Sequence, residues 1–405
     1  MGIVQSEKNS GLESTKSPYL VEYSSNVATA LNFAIQKNLS TSCRIEQFLI
    51  QDYLKKKKPI PIWIVNAACK LNNNDLKIPL TYQNLWFCLH NSILTRQQPS
   101  GRRFRTKVSF ANCYINSNQK ITFLLEEVRK KLKISQRRFS ELCGYKKGAF
   151  HIVNTKHPIA VILKACQILK IEPWKFLEKC ELSGKTSSAG KIIIPEDKKD
   201  IEIYTLLIWL RTEGHLELGS THIEINQKND TTSLDKLKEL FIKKFMLKNA
   251  PAKLHTGQRG EDRLIISSAP LRQLLCLKYN LPIGYKNGSL QKMHLDGLSE
   301  LEYKKIMPAF IQTEGCLSYH YSRNKKKKLP IFEFIVKDGN LAEDCLMCLN
   351  KLGYEPKFYI KQNIFKVGLY DSKKVINLIK QTEDYFWNKK KITYLKEKCT
   401  NGIGL

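Results

Sequence analysis

This sequence has no long apolar run and no cysteine pattern typical of a zinc site. No apolar segment approaches the ~18 residues that cross a bilayer, and no secretory signal is recognised at the start of the sequence. We therefore expect an intracellular protein, neither secreted nor inserted in a membrane. The twelve cysteines are scattered singly, and Cys345 and Cys348 lack a second Cys or His pair. Cysteines such as Cys166 and Cys276 are expected to be small core residues in a reducing compartment.

Acidic residues are scarce. The chain carries 67 Lys and Arg against 37 Asp and Glu, a formal net charge of +30 with a pI near 9.6. Such an excess favours a polyanionic partner, and double-stranded DNA is the first candidate, ahead of an anionic membrane surface. A hydrophobic content of 42% suffices for packed cores, and the length corresponds to about two to four domains of ~100–200 residues.

The basic segment 121–178 has the pattern of short consecutive helices. Apolar residues recur at helical spacing from Leu124 to Leu132. Ser135 is the expected N-cap of a second helix, RRFSELC, which Gly144 ends, and KKGAFHIVN is the expected third. The stretch SQRRFSELCGYKKGAFHIV resembles the helix-turn-helix of lambda-repressor-like domains.

That resemblance implies which side chains contact DNA. In the family, the second helix of the motif enters the major groove, and the two arginines that begin the first helix here would face phosphates. The implied base contacts are Lys146, Lys147, His151 and Asn154, and the implied phosphate contacts are Arg137 and Arg138. An ordinary helical domain with a basic surface remains the alternative, because the motif is short.

Composition and a weak internal sequence similarity divide the N-terminal half into segments. IPIWIVNAACKL, residues 60–71, is similar to PIAVILKACQIL, residues 158–169, at an offset of 98. We therefore expect a degenerate helix-turn-helix-like helical module upstream of the first. The predicted segments are a flexible tail at 1–26, this helical module at 27–74, a basic connecting segment at 75–120, the helix-turn-helix domain at 121–182 and a Gly/Ser-rich linker at 183–191.

The C-terminal half contains a longer repeat. WLRTEGHLELG and AFIQTEGCLSY each end an apolar segment in Glu-Gly, at Glu213–Gly214 and at Glu314–Gly315, 101 residues apart. Apolar positions beyond the motifs match at the same offset, as Leu264 does with Phe365. Each half has the pattern helix, two strands, helix, two strands, helix. This predicts a pseudo-dimeric domain with repeats at 192–298 and 299–400, and a monomeric protein, since both repeats lie in one chain.

The repeated acids indicate a metal site. A carboxylate at the C-terminal end of a helix meets the negative end of the macrodipole, so two acids in register are unexpected unless they serve a site. If the two helices pack side by side, their carboxylates repel each other unless a cation lies between them. Oxygen ligands suit Mg²⁺, with Mn²⁺ as an alternative, and such an ion beside DNA phosphates promotes phosphodiester hydrolysis.

These segments resemble the LAGLIDADG homing endonucleases. LLIWLRTEG at 206–214 and MPAFIQTEG at 307–315 lie on the nine-residue family motif, with Glu replacing its last Asp. The resemblance implies an α+β protein: helical helix-turn-helix modules, then a pseudo-dimeric α/β domain of two αββαββα repeats. It also implies that the motif helices form the interface, that Glu213 and Glu314 bind metal beside Gly214 and Gly315, and that two saddle-shaped sheets lie in the major groove.

Further residues follow from the same resemblance. Gln227 in IEINQKND would orient the attacking water, and Lys286 in NLPIGYKNGS would stabilise developing phosphate charge. The basic hairpin of the second half would contact DNA through Arg323, Lys325, Lys326, Lys327 and Lys328. The sequence also departs from the family: Leu207 and Ile208 stand where small residues usually meet, and Val336 stands where the second half would need its glutamine.

Two functions remain open at this stage. The first is a sequence-specific, metal-dependent endonuclease whose helix-turn-helix modules add affinity and register. The second is a DNA-binding transcriptional regulator that keeps the scaffold without cleaving. Both glutamates favour the enzyme, whereas the fused DNA-reading modules and the missing second glutamine favour the regulator.

Overall fold

The computed structural model describes most of the chain from residue 113 onward and a few short segments before it. The described ranges are 113–135, 137–138, 156–184, 190–196, 198–217, 221–247, 252–256, 261–281, 292–293, 295–322, 327–362 and 364–401, with residue 55 and the strands at 19–21, 60–61, 93–97 and 103–107 upstream. The chain divides into two compact units, residues 1–111 with 141–146 and residues 112–140 with 147–405.

The first unit contains one antiparallel sheet in its described part. Its strands are β1 (Tyr19–Val21), β2 (Ile60–Pro61), β3 (Ile93–Gln97) and β4 (Arg103–Lys107), in the order β2-β1-β3-β4. β1 lies inside the segment 1–26 that is expected to be a tail, and β2 consists of the first two residues of the stretch 60–71. The remaining residues of both segments lie outside the described ones.

The second unit begins with a similar sheet and the helices that cover it. The elements are β5 (Cys113–Asn116), α1 (Gln119–Leu132), β6 (Lys156–Pro158), α2 (Ile159–Leu169), α3 (Pro173–Phe176), β7 (Glu181–Gly184) and β8 (Lys191–Ile193). Asn118 caps α1 by accepting a hydrogen bond from the Ile121 N–H at 3.0 Å, and Leu125 and Val128 of the same helix are fully buried. Helix α1 therefore forms where helical spacing predicted it.

Strands β7 and β8 reach into the two ends of the segment 183–191 that is expected to be a linker, and residues 185–189 lie outside the described ones. β7 pairs with β8 through Leu182 and Ile192, and Ser183 and Gly184 also pair with β5. The strand order β6-β5-β7-β8 matches β2-β1-β3-β4 position for position. Among the described residues, the N-terminal part therefore repeats a sheet topology.

The C-terminal part consists of two repeats with the predicted order of elements. The first contains α4 (Ile201–Thr212), β9 (Gly214–Leu216), β10 (His222–Lys228), α5 (Thr231–Phe245), β11 (Ala252–Thr256), β12 (Glu261–Ser267) and α6 (Ala269–Tyr279). The second contains α7 (Glu300–Gln312), β13 (Gly315–Ser322), β14 (Lys327–Val336), α8 (Gly339–Lys351), β15 (Lys357–Lys361), β16 (Ile364–Leu369) and α9 (Ser372–Thr382), followed by α10 (Lys389–Asn401).

Each repeat forms its own antiparallel sheet with the same topology. The first sheet has the order β11-β12-β10-β9, and the second has the order β15-β16-β14-β13. In β10 the buried residues Ile223 and Ile225 alternate with Glu224, which is the pattern of a strand with one covered face. Helices cover one face of each sheet, and the other face is open.

The core lies between the helix pair α4 and α7, which pack against each other. Ile208, Trp209 and Phe310 are fully buried, and every residue from Ile306 to Gln312 is buried. Trp209 stacks on Trp387 with ring centroids 6.0 Å apart, and Phe310 packs edge-to-face on Phe334 at 5.4 Å, so these large side chains fill the core beside the helix pair. Across the described residues, no helix combines the length and apolarity needed to cross a bilayer.

Candidate metal and nucleic-acid site at the paired glutamates

Glu213 and Glu314 occupy matching positions where their helices end. Glu213 is the C-terminal cap of α4, and its N–H donates to the Trp209 carbonyl at 2.9 Å. Glu314 follows the last residues of α7 and is exposed, whereas Glu213 is half-buried. The threonine before each glutamate donates its hydroxyl to the carbonyl four residues earlier, Thr212 to Ile208 and Thr313 to Ala309, both at 2.9 Å.

The glycine after each glutamate is required by close approach to the helix. A Cβ at Gly214 would lie 2.6 Å from the Leu210 Cα, and one at Gly315 would lie 2.6 Å from the Ile311 Cα. Both distances are shorter than a side chain tolerates, so each strand begins directly against the last helical turn. The two Glu-Gly corners therefore share this close approach, although the C-terminal cap is Glu213 in α4 and Thr313, the residue before the glutamate, in α7.

Contacts across the helix pair bring both corners to the same end. Arg211, two residues before Glu213, donates to Asp338 at 2.7 Å. Asp338 follows β14, and β14 pairs with the strand that begins at Gly315. On the other side, Gln312 donates to Ser233 at 3.2 Å, just after β10, which pairs with the strand that begins at Gly214. Each helix therefore ends beside the sheet that follows the other helix.

The donor set at this end fits a hard divalent cation. Mg²⁺ binds through one or two carboxylates and completes its coordination with water and substrate phosphates. Glu213 and Glu314 are two such carboxylates, each at the start of a sheet with an open face. Among the described residues no group of three or more His, Cys, Asp or Glu side chains could hold a metal ion. The protein's contribution to such a site would therefore be these two oxygen ligands.

The strand register locates Gln227 and its counterpart. Gly214 pairs with Ile225 and Gly315 pairs with Phe334, so Gln227 corresponds to Val336. The departure noted in the sequence therefore holds in the structure. Gln227 alternates onto the helix-covered face, whereas Asn226 lies on the open face, exposed, and its N–H donates to the Glu213 carbonyl at 3.4 Å.

Asn226 was missed by sequence reasoning. The equivalent residue in the second half is Ile335, which is 39% exposed. Successive side chains of a strand point to opposite faces, so of Asn226 and Gln227 only Asn226 shares the face of Glu224. This alternation in IEINQKND could have identified Asn226 from the sequence. An amide side chain on the open face is thus available beside Glu213 and is replaced by an apolar one beside Glu314.

The open faces of the two sheets differ in charge. On the first, Arg263 forms ion pairs with Glu224 at 3.4 Å and Glu261 at 3.3 Å. On the second, Glu333 is the one acid among the described residues, and it pairs with Lys366 and accepts a hydrogen bond from Tyr370 at 3.0 Å. The exposed residues of β15 on this face are Lys357, Tyr359 and Lys361.

Several predicted contact residues lie outside the described residues. These are Lys146, Lys147, His151, Asn154, Lys286, Arg323, Lys325 and Lys326. Lys327 and Lys328 are the first residues of β14, and the structure describes only their backbone. Arg137 and Arg138 are exposed, and the Arg138 N–H donates to the Ser135 hydroxyl at 3.2 Å, as an N-cap at Ser135 predicts.

Comparisons with known proteins give structural neighbours only. No family model matches the sequence, and no curated protein matches it. The N-terminal LAGLIDADG domain of DUF199/WhiA is 10% identical over 45% of this chain and 82% of its own, with a TM-score of 0.31. The LAGLIDADG meganuclease I-AabMI bound to uncleaved DNA is 12% identical over 50% and 99%, with a TM-score of 0.31.

A third neighbour is the homing endonuclease I-DmoI in complex with DNA and Ca. It is 14% identical over 49% of this chain and 97% of its own, with a TM-score of 0.34. All three TM-scores are below 0.5, so these likenesses carry no argument about function.

Proposed function

We propose that this protein is a site-specific double-stranded DNA endonuclease of the LAGLIDADG homing type that depends on a divalent metal. The observation that carries the proposal is the pair of Glu-Gly corners. They end two packed helices, each has a glycine pressed against the last helical turn, and each opens into an antiparallel sheet. An acid at each of two matching helix ends, in a chain with a net charge of +30, favours a metal-bridged contact with DNA phosphate.

Each residue of the proposed site has its own role. Glu213 and Glu314 supply the negative charge that holds Mg²⁺ or Mn²⁺, and the bound ion supplies stabilisation of charge on the phosphate oxygens. Asn226, on the open face near Glu213, orients a water molecule for attack in place of Gln227, which lies on the helix-covered face. Lys286 stabilises the charge that develops on phosphate.

DNA binding is assigned to the open faces and to the helix-turn-helix segment. The lysines of β15 and the basic hairpin between β13 and β14 contact one part of the duplex. The segment 137–154 adds base contacts through His151 and Asn154 and phosphate contacts through Arg137 and Arg138. The basic residues scattered over both parts support affinity that falls steeply with salt.

A non-cleaving DNA-binding regulator is the second candidate. Ile335 and Val336 favour it, because the second half has no amide where the first half has Asn226 and Gln227. A regulator that keeps the scaffold would retain the glutamates without using them.

Incubation of the protein with a DNA pool and Mg²⁺ decides between the two. Glu213→Gln and Glu314→Gln keep the side-chain size and remove the charge, so each should abolish cleavage while DNA binding in EDTA stays intact or tightens. Glu239→Gln, an exposed acid on α5, is the matched control and should cleave normally. Tight binding to one site without nicking or cutting in Mg²⁺ or Mn²⁺ would leave the regulator as the answer.

A further inference from the structure

The last turn of α4 is held by an ion cluster from the other repeat. The Arg211 guanidinium donates to Asp338 Oδ2 from Nε at 3.0 Å and from Nη2 at 2.7 Å. Its Nη1 lies 3.5 Å from Asp344 Oδ2. The side chains of Arg211 and Asp344 are 3% and 0% exposed. We call Arg211, Asp338 and Asp344 the ionic brace.

The last turn of α7 is held at the matching place by hydrogen bonds that begin at the uncharged amide of Gln312. Gln312 Nε2 donates to Ser233 Oγ at 3.2 Å, and that hydroxyl donates to Asp230 Oδ2 at 2.8 Å. Gln312 and Ser233 are both buried. We call Gln312, Ser233 and Asp230 the neutral brace.

The two braces occupy equivalent positions in the two repeats. Arg211 and Gln312 each stand two residues before their glutamate. Asp338 and Asp230 each cap the helix that follows the second strand of a repeat, accepting from Leu341 N–H at 3.2 Å and from Ser233 N–H at 3.0 Å. Each helix end is therefore attached to the N-terminus of a helix in the opposite repeat.

The attachment of each helix end to the opposite repeat affects the position of the glutamate that follows it. Arg211 and Gln312 each lie only two residues, or about 3 Å of helix rise, before a glutamate. A shift of either residue therefore displaces the following carboxylate by about the same distance as the residue itself. A site with two carboxylate ligands tolerates displacement of only about 0.5 Å. Residues that orient ligands without touching the metal commonly control metal affinity for this reason.

We infer that Arg211 and Gln312 are positioning residues that set the separation of the Glu213 and Glu314 carboxylates. The inference rests on the proposed metal site. The ionic brace holds the first corner more rigidly than the neutral brace holds the second, because a buried charge pair resists separation more strongly than a neutral hydrogen bond.

The test measures Mn²⁺ affinity by electron paramagnetic resonance on the DNA-bound full chain, together with cleavage. Arg211→Gln combined with Asp338→Asn removes both charges of the bidentate pair, and asparagine can still cap α8. Gln312→Leu removes the neutral brace. Each variant should bind Mn²⁺ about 10- to 100-fold more weakly, with unchanged DNA binding in EDTA. Arg211→Lys should recover part of the affinity, because it keeps the charge.

Arg129→Gln is the matched control. Arg129 pairs with Glu126 at 2.9 Å on the exposed surface of α1, so its loss should leave Mn²⁺ affinity unchanged. If the double variant does not fold, Gln312→Leu carries the same test. A folded variant of either brace with unaltered Mn²⁺ affinity would overturn the inference, as would Mn²⁺ binding that survives Glu213→Gln and Glu314→Gln.

Failure of the enzyme proposal gives a different result. If the unmodified protein binds Mn²⁺ through the two glutamates but never cleaves, the endonuclease is excluded while the effect of the braces on affinity is still measured. If the protein neither binds Mn²⁺ through the glutamates nor cleaves, both proposals fall together.

Discussion

The two C-terminal repeats share a topology and differ in what they present to a partner. Both have the same strand order, the same Glu-Gly corner and the same cross-attachment. The first repeat has a three-residue β9 and an open face on which Arg263 is balanced by Glu224 and Glu261. The second has an eight-residue β13 and a lysine-rich face. Apolar packing and backbone geometry conserve the scaffold, while solvent-facing positions diverge, because nothing in the fold depends on them.

The largest effect on folding stability is expected at the two Glu-Gly corners, where the repeats are alike. Gly214→Ala and Gly315→Ala each force a Cβ against backbone 2.6 Å away. Each should destabilise the protein by about 1–3 kcal/mol or more, as overpacking does, measured as the shift in the urea midpoint. Lys351→Ala, an exposed position at the end of α8, is the control. A large effect at one corner and none at the other would mean that the two corners differ.

The second effect is on the pH dependence of stability, and it distinguishes the two repeats because Asp344 belongs only to the ionic brace. Burial raises the pKa of Asp344 to about 7, although Arg211 and Lys292 oppose the shift and Asp338 adds to it. The folded state therefore holds a proton that the unfolded state releases near pH 4. Stability should fall as pH rises from about 4 to 7, since the native state binds more protons across that window.

Asp344→Asn is the measurement that isolates this group. Urea unfolding of the variant at pH 5 and pH 8 should differ less than for the unmodified chain. Asp384→Asn, at an exposed position, serves as the control and should leave the pH dependence as it was. An undiminished slope in Asp344→Asn would assign the pH dependence to other carboxylates.

A third, smaller effect concerns DNA affinity. Lys357→Ala with Lys361→Ala removes two cations from the open face of the second repeat, where few acids oppose them. Lys228→Ala with Lys253→Ala makes the same change on the first, where Glu224 and Glu261 already lower the potential. The first pair should lower the magnitude of the log–log salt slope by about 2 and the second by less. Equal slopes for both pairs would mean that the faces contribute alike.

The smallest effect concerns the order of strand cleavage. If the protein cleaves, the missing amide beside Glu314 should make one strand slower, so nicked DNA should accumulate. Ile335→Asn with Val336→Gln copies the first repeat into the second and should reduce the nicked fraction on a plasmid substrate. A nicked fraction that does not respond would show that these positions have no part in orienting water.

Much of the C-terminal fold was predictable because its signals are local. Helical spacing, strand alternation and the Glu-Gly repeat each lie within a few residues, and they predicted the element order of both repeats. The N-terminal half was predicted less well. The two N-terminal sheets have the same strand order, but β2 and β6 are too short to display alternation in the sequence. The helix-turn-helix contacts stay a prediction, since residues 139–155 lie outside the described residues.

The sequence by itself determined the two repeats, the capping residues and the position of an acid and a glycine at each corner, because these depend on neighbours in the chain. Only the tertiary structure decided that Arg211 meets Asp338, 127 residues away, and that Gln312 meets Ser233, 79 residues away. It also decided that β7 pairs with both β5 and β8. Such contacts are set by how helices and sheets pack, and a pattern confined to one segment carries no information about which distant segment it will face.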